Sequence, residues 1–317
     1  MKTLSIVIPV FNEGDNVDIM CRQVLEVCAH ALPQYAVEII FTDNCSTDDT
    51  YERVTRCAAT DPRVKGIQLS RNFGYQASIL TGYLNASGDA VIQMDADGED
   101  PPDIIPELVT QWEQGNQVVY GIRVTRQESR FMQWQRAWFY KLLKHISSVD
   151  LPPGAGDFRL LDRVVIDTIA ARFHERNPYL RGLVSFIGFR QTGIPYHRGR
   201  RMKGVSKFDY FDYLRLAWDA ITSFSRVPLK AVSLMGFWMS AMSVAGALFY
   251  LGLFLSKRVP VQGFTTTILV LLLVSGIQLL SLGIMGEYLS RIFDEVKGRP
   301  RSVVARSIGF KDPPHSA

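Results

Sequence analysis

Short apolar runs rich in β-branched residues alternate with amphipathic segments through the first part of the chain. The runs lie at residues 4–10, 37–42, 64–69, 90–94 and 117–121. Between them, apolar residues recur at helical spacing, as in Val17, Met20, Val24 and Val27, and in Ile79, Leu80, Tyr83 and Leu84. This alternation predicts an α/β fold with a mostly parallel, Rossmann-like sheet covered by helices on both faces.

Two much longer apolar stretches occupy the last third of the chain. They predict helices over residues 229–255 and 263–286, and residues 231–255 and 263–286 contain no charged residue. About 20 apolar residues suffice to cross a bilayer. Uncharged runs of this length are uncommon in a soluble core, so a pair of membrane-spanning helices is favoured over a pair of buried core helices.

The distribution of basic residues predicts the orientation of these helices. The link between them carries only Lys257 and Arg258, whereas many more basic residues flank the outer ends. By the positive-inside bias, both termini are expected in the cytoplasm. The predicted organisation is a cytoplasmic α/β domain at 1–208, an interfacial amphipathic helix at 209–228, a transmembrane hairpin at 229–286 and a basic cytoplasmic tail at 287–317.

Composition and charge narrow the class of protein. The 317 residues are 47% hydrophobic and 21% charged, which excludes disordered and collagen-like chains. A net charge of +4 is too small to indicate nucleic-acid binding. The four cysteines lack metal-ligand spacing and are interpreted as reduced cytosolic thiols.

Polar clusters follow the first, second and fourth predicted strands, at residues 11–13, 43–46 and 95–97. Ligands of such sheets bind beyond the carboxyl ends of the strands, so the three clusters predict one site. Asp95 and Asp97 lie two residues apart at a strand end, where both carboxylates can face one hard divalent cation. A solvated acidic loop is the alternative, although the turn-forming residues 98–103 favour a fixed site.

Four motifs occur in an order that resembles family 2 glycosyltransferases of the GT-A fold: residues 9–13 (PVFNE), 43–48 (DNCSTD), 71–74 (RNFG) and 95–102 (DADGEDPP). Within that family the chain is most similar to polyprenyl-phosphate glycosyltransferases, such as dolichol-phosphate mannose synthase and the bactoprenol glucosyltransferases. Residues 156–160 and 201–208 also resemble theirs, and the two apolar helices suit the bacterial members.

The resemblance implies a set of ligand-binding residues. A nucleotide sugar would be bound by Pro9, Phe11, Glu13, Asp43, Asp95, Ala96 and Arg123. A divalent cation, Mg²⁺ or Mn²⁺, would be held by Asp97 and Asp95 and would neutralise the diphosphate leaving group. Packing within a turn is the alternative role for Pro9 and Phe11.

Asp157 is the implied catalytic residue, and its role stays open between a general base, a group that orients the acceptor or stabilises positive charge on the sugar, and a turn residue. Residues 196–208 carry basic residues and no acid. They form either a solvated loop at a bilayer face or a phosphate clamp, for which the family pattern points to Arg201, Ser206 and Lys207. Aromatic stripes at residues 130–147 and 209–226 indicate interfacial or core-facing helices.

The expected function is the inverting transfer of a sugar to polyprenyl phosphate by a multi-pass protein of the bacterial inner (plasma) membrane. The favoured sugar is glucose, with UDP-glucose as its donor. Two alternatives are a GDP-mannose-dependent polyprenyl-phosphate mannosyltransferase and a non-catalytic nucleotide-sugar-binding membrane scaffold.

The chain has no Arg-Trp dipeptide, which argues against a processive polysaccharide synthase. No Asp, Glu, Lys, Arg or His residue lies within 231–255 or 263–286, which argues against a transporter. Membrane helices often associate, so a homo-oligomer, a dimer or a tetramer, is also expected.

Overall fold

The computed structural model describes residues 1–124, 155–176, 178–199, 227–256 and 264–316. The chain divides into two units, of which the first combines Met1–Tyr213 with Arg299–Ala317 and the second is Leu214–Gly298. The predicted interfacial segments 130–147 and 209–226 lie outside the described residues.

A mixed sheet forms the centre of the first unit. Its eight strands in the described residues are β1 (Thr3–Val10), β2 (Ala36–Asp43), β3 (Val64–Leu69), β4 (Ala90–Gln93), β5 (Val118–Arg123), β6 (Ala155–Asp162), β7 (Gln191–Tyr196) and β8 (Val304–Ile308). Their order is β7-β5-β6-β4-β1-β2-β3-β8. The strands run in one direction except for β6 and β8, which are antiparallel to their neighbours. The predicted α/β fold with a mostly parallel sheet is therefore confirmed.

Helices cover both faces of this sheet. They are α1 (Gly14–Ala31), α2 (Thr50–Thr60), α3 (Tyr75–Asn85), α4 (Ile105–Glu113), α5 (Arg163–Arg172) and α6 (Leu180–Ile187). Buried residues of α1, α2 and α4 belong to one apolar layer, and those of α3, α5 and α6 belong to the other. The alternation of side chains along a strand divides β1 between the layers, since Ile6 and Ile8 face the first and Val7 faces the second.

The last strand extends the sheet in a way that the sequence pattern does not predict. β8 pairs antiparallel with the edge strand β3, and the Ser70 N–H donates to the Val303 carbonyl at 2.9 Å. Ser302 is fully buried, and its hydroxyl lies 2.7 Å from that of Thr81 in α3. Residues 299–316, predicted as part of a separate basic tail, thus belong to the first unit. Pairing with β3 covers an edge that would otherwise expose unpaired backbone groups.

The second unit contains two long apolar helices, α7 (Val227–Leu255) and α8 (Phe264–Lys297). Their bounds exceed the predicted 229–255 and 263–286, chiefly because α8 continues into the charged sequence after Gly286. Segments of 20 residues in α7 (Val227–Gly246) and 25 residues in α8 (Leu273–Lys297) are long and apolar enough to cross a membrane.

Close packing of α3 on β1 generates a prediction about stability. A Cβ atom at Gly82 would lie 2.3 Å from Cγ1 of Val7, so Gly82→Ala must displace the helix or the strand. We expect Gly82→Ala to destabilise the protein by about 1–3 kcal/mol, despite the helix propensity of alanine. Thermal unfolding of the purified full-length protein measures this change. Adding Val7→Ala should remove the clash, so additive losses in the double variant would contradict the packing argument.

Candidate active site

The carboxyl ends of three neighbouring strands form one edge of the sheet. β1 lies between β2 and β4, with Val10 in register with Asp43 and Val7 in register with Gln93. The polar residues that follow these strands, at 11–13, 43–46 and 95–97, therefore lie at the same edge. The structure thus brings together the three clusters from which the sequence predicts a site.

The loops after β1 and β2 are held to each other by side-chain hydrogen bonds. The Asn12 N–H donates to the Ser46 hydroxyl, and the Thr47 N–H donates to the Asn12 side-chain oxygen, each at 2.8 Å. Asn12 and Cys45 both adopt left-handed backbone conformations, with φ of 55° and 63°. Left-handed conformations cost energy in residues other than glycine and persist where the surrounding structure imposes them, often at functional sites.

The predicted nucleotide-binding residues at these strand ends differ in exposure. Pro9 is buried, and Phe11 and Glu13 are half-buried. Asp43 is fully buried, and its carboxylate accepts hydrogen bonds from the Ser46 N–H at 3.0 Å and from Gln68 Nε2 at 2.9 Å. These bonds fix the orientation of the carboxylate, although each oxygen can accept more than one hydrogen bond.

A third loop, residues 71–74, closes this side of the edge. The Asn44 and Asn72 side chains are joined by a 2.9 Å hydrogen bond, and the Phe73 N–H donates to Asn44 Oδ1 at 2.9 Å. The Arg71 guanidinium lies 4.0 Å from the centroid of the Phe73 ring. Asn44 therefore holds the loop after β3 rather than standing free in the turn.

Carboxylates concentrate after β4. Burial and the nearby negative charges of Asp100, Asp157 and Asp97 raise the pKa of Asp95 to about 7. The Tyr75 hydroxyl donates to Asp95 Oδ1 at 2.5 Å and accepts from Gln93 Nε2 at 3.1 Å. So much negative charge in one buried region attracts a cation.

Asp97 and Asp95 are the residues that could hold a divalent cation, with the other ligands coming from a phosphorylated substrate. Asp97 Oδ1 accepts from the Glu99 N–H at 3.0 Å, which fixes the turn. In the part of the chain that the structure describes, no group of three or more His, Cys, Asp or Glu residues is spaced to hold a metal. Mg²⁺ is commonly bound by one or two carboxylates together with substrate phosphates and water. Ala96, between the two aspartates, is buried.

Arg123 is held beside the acidic turn. The Tyr196 hydroxyl donates to Asp100 Oδ1 at 2.5 Å, and Arg123 Nε donates to the Tyr196 oxygen at 3.3 Å. Asp100 is buried, and burial raises its pKa. Among the described residues, Asp100 Oδ2 has no hydrogen-bond partner. The arrangement fixes a cation, Arg123, beside the carboxylates.

Asp157 is an ion-paired carboxylate. Arg181 Nε donates to Asp157 Oδ1 at 2.7 Å and Arg181 Nη2 donates to Oδ2, which makes the pair bidentate. Arg159 Nη2 also donates to Asp157 Oδ1, at 3.3 Å. Burial alone would raise the pKa of Asp157, but the Arg181, Arg159 and Arg123 charges lower it below the ordinary value.

Several residues of this site have no role in the sequence-based prediction: Tyr75, Arg159, Arg181 and Tyr196. Tyr75 directly follows the residues 71–74 motif, which is a signal that sequence reasoning had available. Arg181 lies 24 residues beyond Asp157 and in a different element, so no spacing pattern connects the two.

The start of the predicted basic segment is anchored to the acidic turn. Arg198 forms an ion pair with Glu99, and the Gly199 N–H donates to the Glu99 carbonyl at 2.9 Å. A Cβ at position 199 would lie 2.5 Å from the Gly98 carbonyl oxygen, so this approach requires glycine. Arg201, Ser206 and Lys207, the predicted acceptor-binding residues, lie outside the described residues.

An α/β domain whose sheet edge combines carboxylates with arginines is typical of enzymes that act on phosphorylated ligands. The profile of glycosyl transferase family 2 matches residues 5–170. The chain belongs to this family and is a glycosyltransferase with a GT-A-like fold.

Two relatives illustrate the match at full length. An uncharacterized glycosyltransferase of Bacillus subtilis is 40% identical over 97% of this chain and 95% of its own length. The SfII prophage-derived bactoprenol glucosyl transferase of Shigella flexneri is 35% identical over 96% and 98% of the two chains. A solved mannosyl-3-phosphoglycerate synthase from Rubrobacter xylanophilus matches 74% of this chain and 75% of that one, with 15% identity and a TM-score of 0.46.

The left-handed conformation of Cys45 generates a prediction. Cys45→Gly should be at least as stable as the natural protein because glycine adopts a positive φ at no steric cost. Cys45→Val should lose about 1–2 kcal/mol relative to Cys45→Ala, because a β-branched side chain fits this conformation worst. Thermal unfolding of the three variants measures the order. Equal stability of the valine and glycine variants would show that the loop adopts another conformation.

Proposed function

We propose that this protein transfers glucose from UDP-glucose to a polyprenyl phosphate at the cytoplasmic face of a bacterial inner membrane. The observation that carries the proposal is the near full-length similarity, at 35% identity, to proteins named bactoprenol glucosyl transferases. The acidic sheet edge with its arginines supports the same activity, and so do the long apolar helices in the same chain.

The site residues suit a single displacement with inversion at the anomeric carbon. An oxygen of the acceptor phosphate forms a bond to that carbon while the bond to the nucleoside diphosphate breaks, and the nucleoside diphosphate leaves with the electron pair. Asp97 and Asp95 would hold Mg²⁺ or Mn²⁺, which supplies positive charge to the leaving diphosphate. Arg123, fixed by Tyr196 and Asp100, is suited to bind the same diphosphate.

No residue has to remove a proton from this acceptor. The second pKa of a phosphate monoester lies near 6, so most of the acceptor is a dianion at neutral pH. The two arginines that pair with Asp157 lower its pKa and make it a weak base. Of the roles left open for Asp157, the geometry therefore favours positioning over proton abstraction.

Connectivity supports an even number of membrane crossings. The chain leaves the first unit before α7 and returns to it after α8, where β8 pairs with β3. A folded domain lies on one side of a bilayer, so both ends of the apolar segment lie on that side. The two helices would then form a hairpin, with the reduced cysteines and the basic flanks on the cytoplasmic side.

The cation role of Asp97 is tested by substitution. We expect Asp97→Asn to lower transfer of glucose from UDP-glucose to undecaprenyl phosphate by about 100-fold or more, because a metal contributes several kcal/mol to stabilising the leaving group. Asp103→Asn, which changes an exposed carboxylate nearby, is the matched control. Transfer by Asp97→Asn at the natural rate, in a correctly folded protein, would refute the metal assignment.

The hairpin topology is tested by labelling in spheroplasts with a membrane-impermeant maleimide. Ser256→Cys, between the apolar helices, should react in intact spheroplasts, whereas Lys311→Cys, after β8, should react only once the membrane is permeabilised. Both positions are exposed, and the natural cysteines lie in the first unit, so the unsubstituted protein measures their background. Reaction of both added cysteines without permeabilisation would contradict the topology.

A further inference from the structure

We propose that Arg181 binds the phosphate of the acceptor lipid and that Asp157 positions the Arg181 guanidinium for this purpose. The inference rests on the proposed transfer to a polyprenyl phosphate. It assigns the acceptor phosphate to a residue of α6 that belongs to none of the motifs in the sequence.

The acceptor presents a charge problem. A phosphate dianion must approach a sheet edge that already carries Asp95, Asp97, Asp100 and Asp157, which lie close enough for their charges to interact. A cation on the donor diphosphate offsets only part of this charge. The acceptor phosphate therefore needs positive charge of its own close to the anomeric carbon.

The described arginines of the site differ in the groups that hold them. Arg159 is almost fully buried and donates to the Asp157 carboxylate and to the Asp157 and Gly156 carbonyls. Arg198 forms an ion pair with Glu99. Arg123 is held by Tyr196 near Asp100, one of the carboxylates beside the predicted nucleotide-sugar site. Arg159 is thus occupied within β6, whereas Arg123 and Arg198 lie beside the acidic turn that would bind the donor.

Arg181 combines a fixed position with donors to spare. Its bidentate pair with Asp157 uses two of the five N–H groups of a guanidinium. Its side chain is 32% exposed, whereas that of Asp157 is 9% exposed. A buried carboxylate that holds an accessible guanidinium presents the remaining N–H groups in a fixed orientation, which is the geometry that phosphate recognition requires.

Tyr75 places this guanidinium beside the reacting region. The Tyr75 hydroxyl donates to Asp95, and the charges of Asp157 and Arg181 both act on it. Arg181 therefore lies close to Asp95, as does Arg123, which is also 3.9 Å from Asp100.

The test separates acceptor binding from donor binding in the full-length protein, reconstituted in nanodiscs that contain undecaprenyl phosphate. We expect Arg181→Gln to raise the KM for undecaprenyl phosphate by about 10- to 100-fold, the effect of losing a charged hydrogen-bond pair. The KM for UDP-glucose should change by less than about twofold. Arg172→Gln, which removes an exposed guanidinium from α5, is the matched control.

A double variant distinguishes phosphate binding from simple neutralisation of Asp157. Arg181→Gln leaves a buried carboxylate without its main partner, and the added Asp157→Asn removes that charge, so the double variant should fold even if the single one does not. Under the proposal, the double variant keeps the raised acceptor KM. A return of that KM to the natural value would show that Arg181 serves only to neutralise Asp157 and would overturn the inference.

The failure of the inference is distinct from the failure of the proposed function. If the natural protein transfers no glucose to undecaprenyl phosphate, the proposed function fails and no acceptor KM exists. If it does transfer and Arg181→Gln keeps the natural acceptor KM, only the role of Arg181 is wrong. Partial recovery by Arg181→Lys, with its charge but without the fork of donors, would further support phosphate contact over a purely structural pair.

Discussion

Repulsion among carboxylates at the carboxyl edge of the sheet is the constraint on which the arrangement of the site depends. Each carboxylate has a separate partner: Tyr75 donates to Asp95, the Glu99 N–H donates to Asp97, Tyr196 donates to Asp100, and Arg181 with Arg159 neutralises Asp157. Buried ion pairs often contribute little net stability, because desolvation offsets their attraction. The concentration of these groups is therefore better explained by ligand binding than by a need for a stable fold.

Much of the sheet could be predicted because its central strands follow local rules. The observed bounds of β1 to β4 differ by no more than one residue at either end from the predicted runs at 4–10, 37–42, 64–69 and 90–94. Val17, Met20 and Val24 are fully buried on the predicted face of α1. Once the strands are parallel and adjacent, the loops after β1, β2 and β4 must meet at one edge. The position of the predicted site follows from that topology.

The parts that could not be predicted depend on pairings between distant segments. β6 enters the sheet antiparallel between β4 and β5, which places Arg159 in register with Gln93 and carries Asp157 toward Asp95. The sequence singles out Asp157 by its neighbouring glycines and prolines, but its charge state depends on Arg181, whose position is set by the packing of α6. An aspartate that acts as a base and an aspartate that positions an arginine look the same in the sequence. Only the tertiary contacts distinguish the two roles.

The apolar helices are inserted into the glycosyltransferase domain rather than appended to it. β8 follows both helices in the chain, yet it pairs with β3, and Ser302, just before β8, is buried against Thr81 of α3. The edge of β3 therefore stays uncovered until the chain has passed through the whole apolar segment. α3 also carries Tyr75 at its first turn, so the strand that completes the sheet packs against the helix that contributes to the site. Because β8 follows the apolar helices in the chain, the sheet is complete only when residues after those helices are present. A soluble form of the domain that lacks residues 299–316 is therefore disfavoured, since the edge of β3 would stay unpaired.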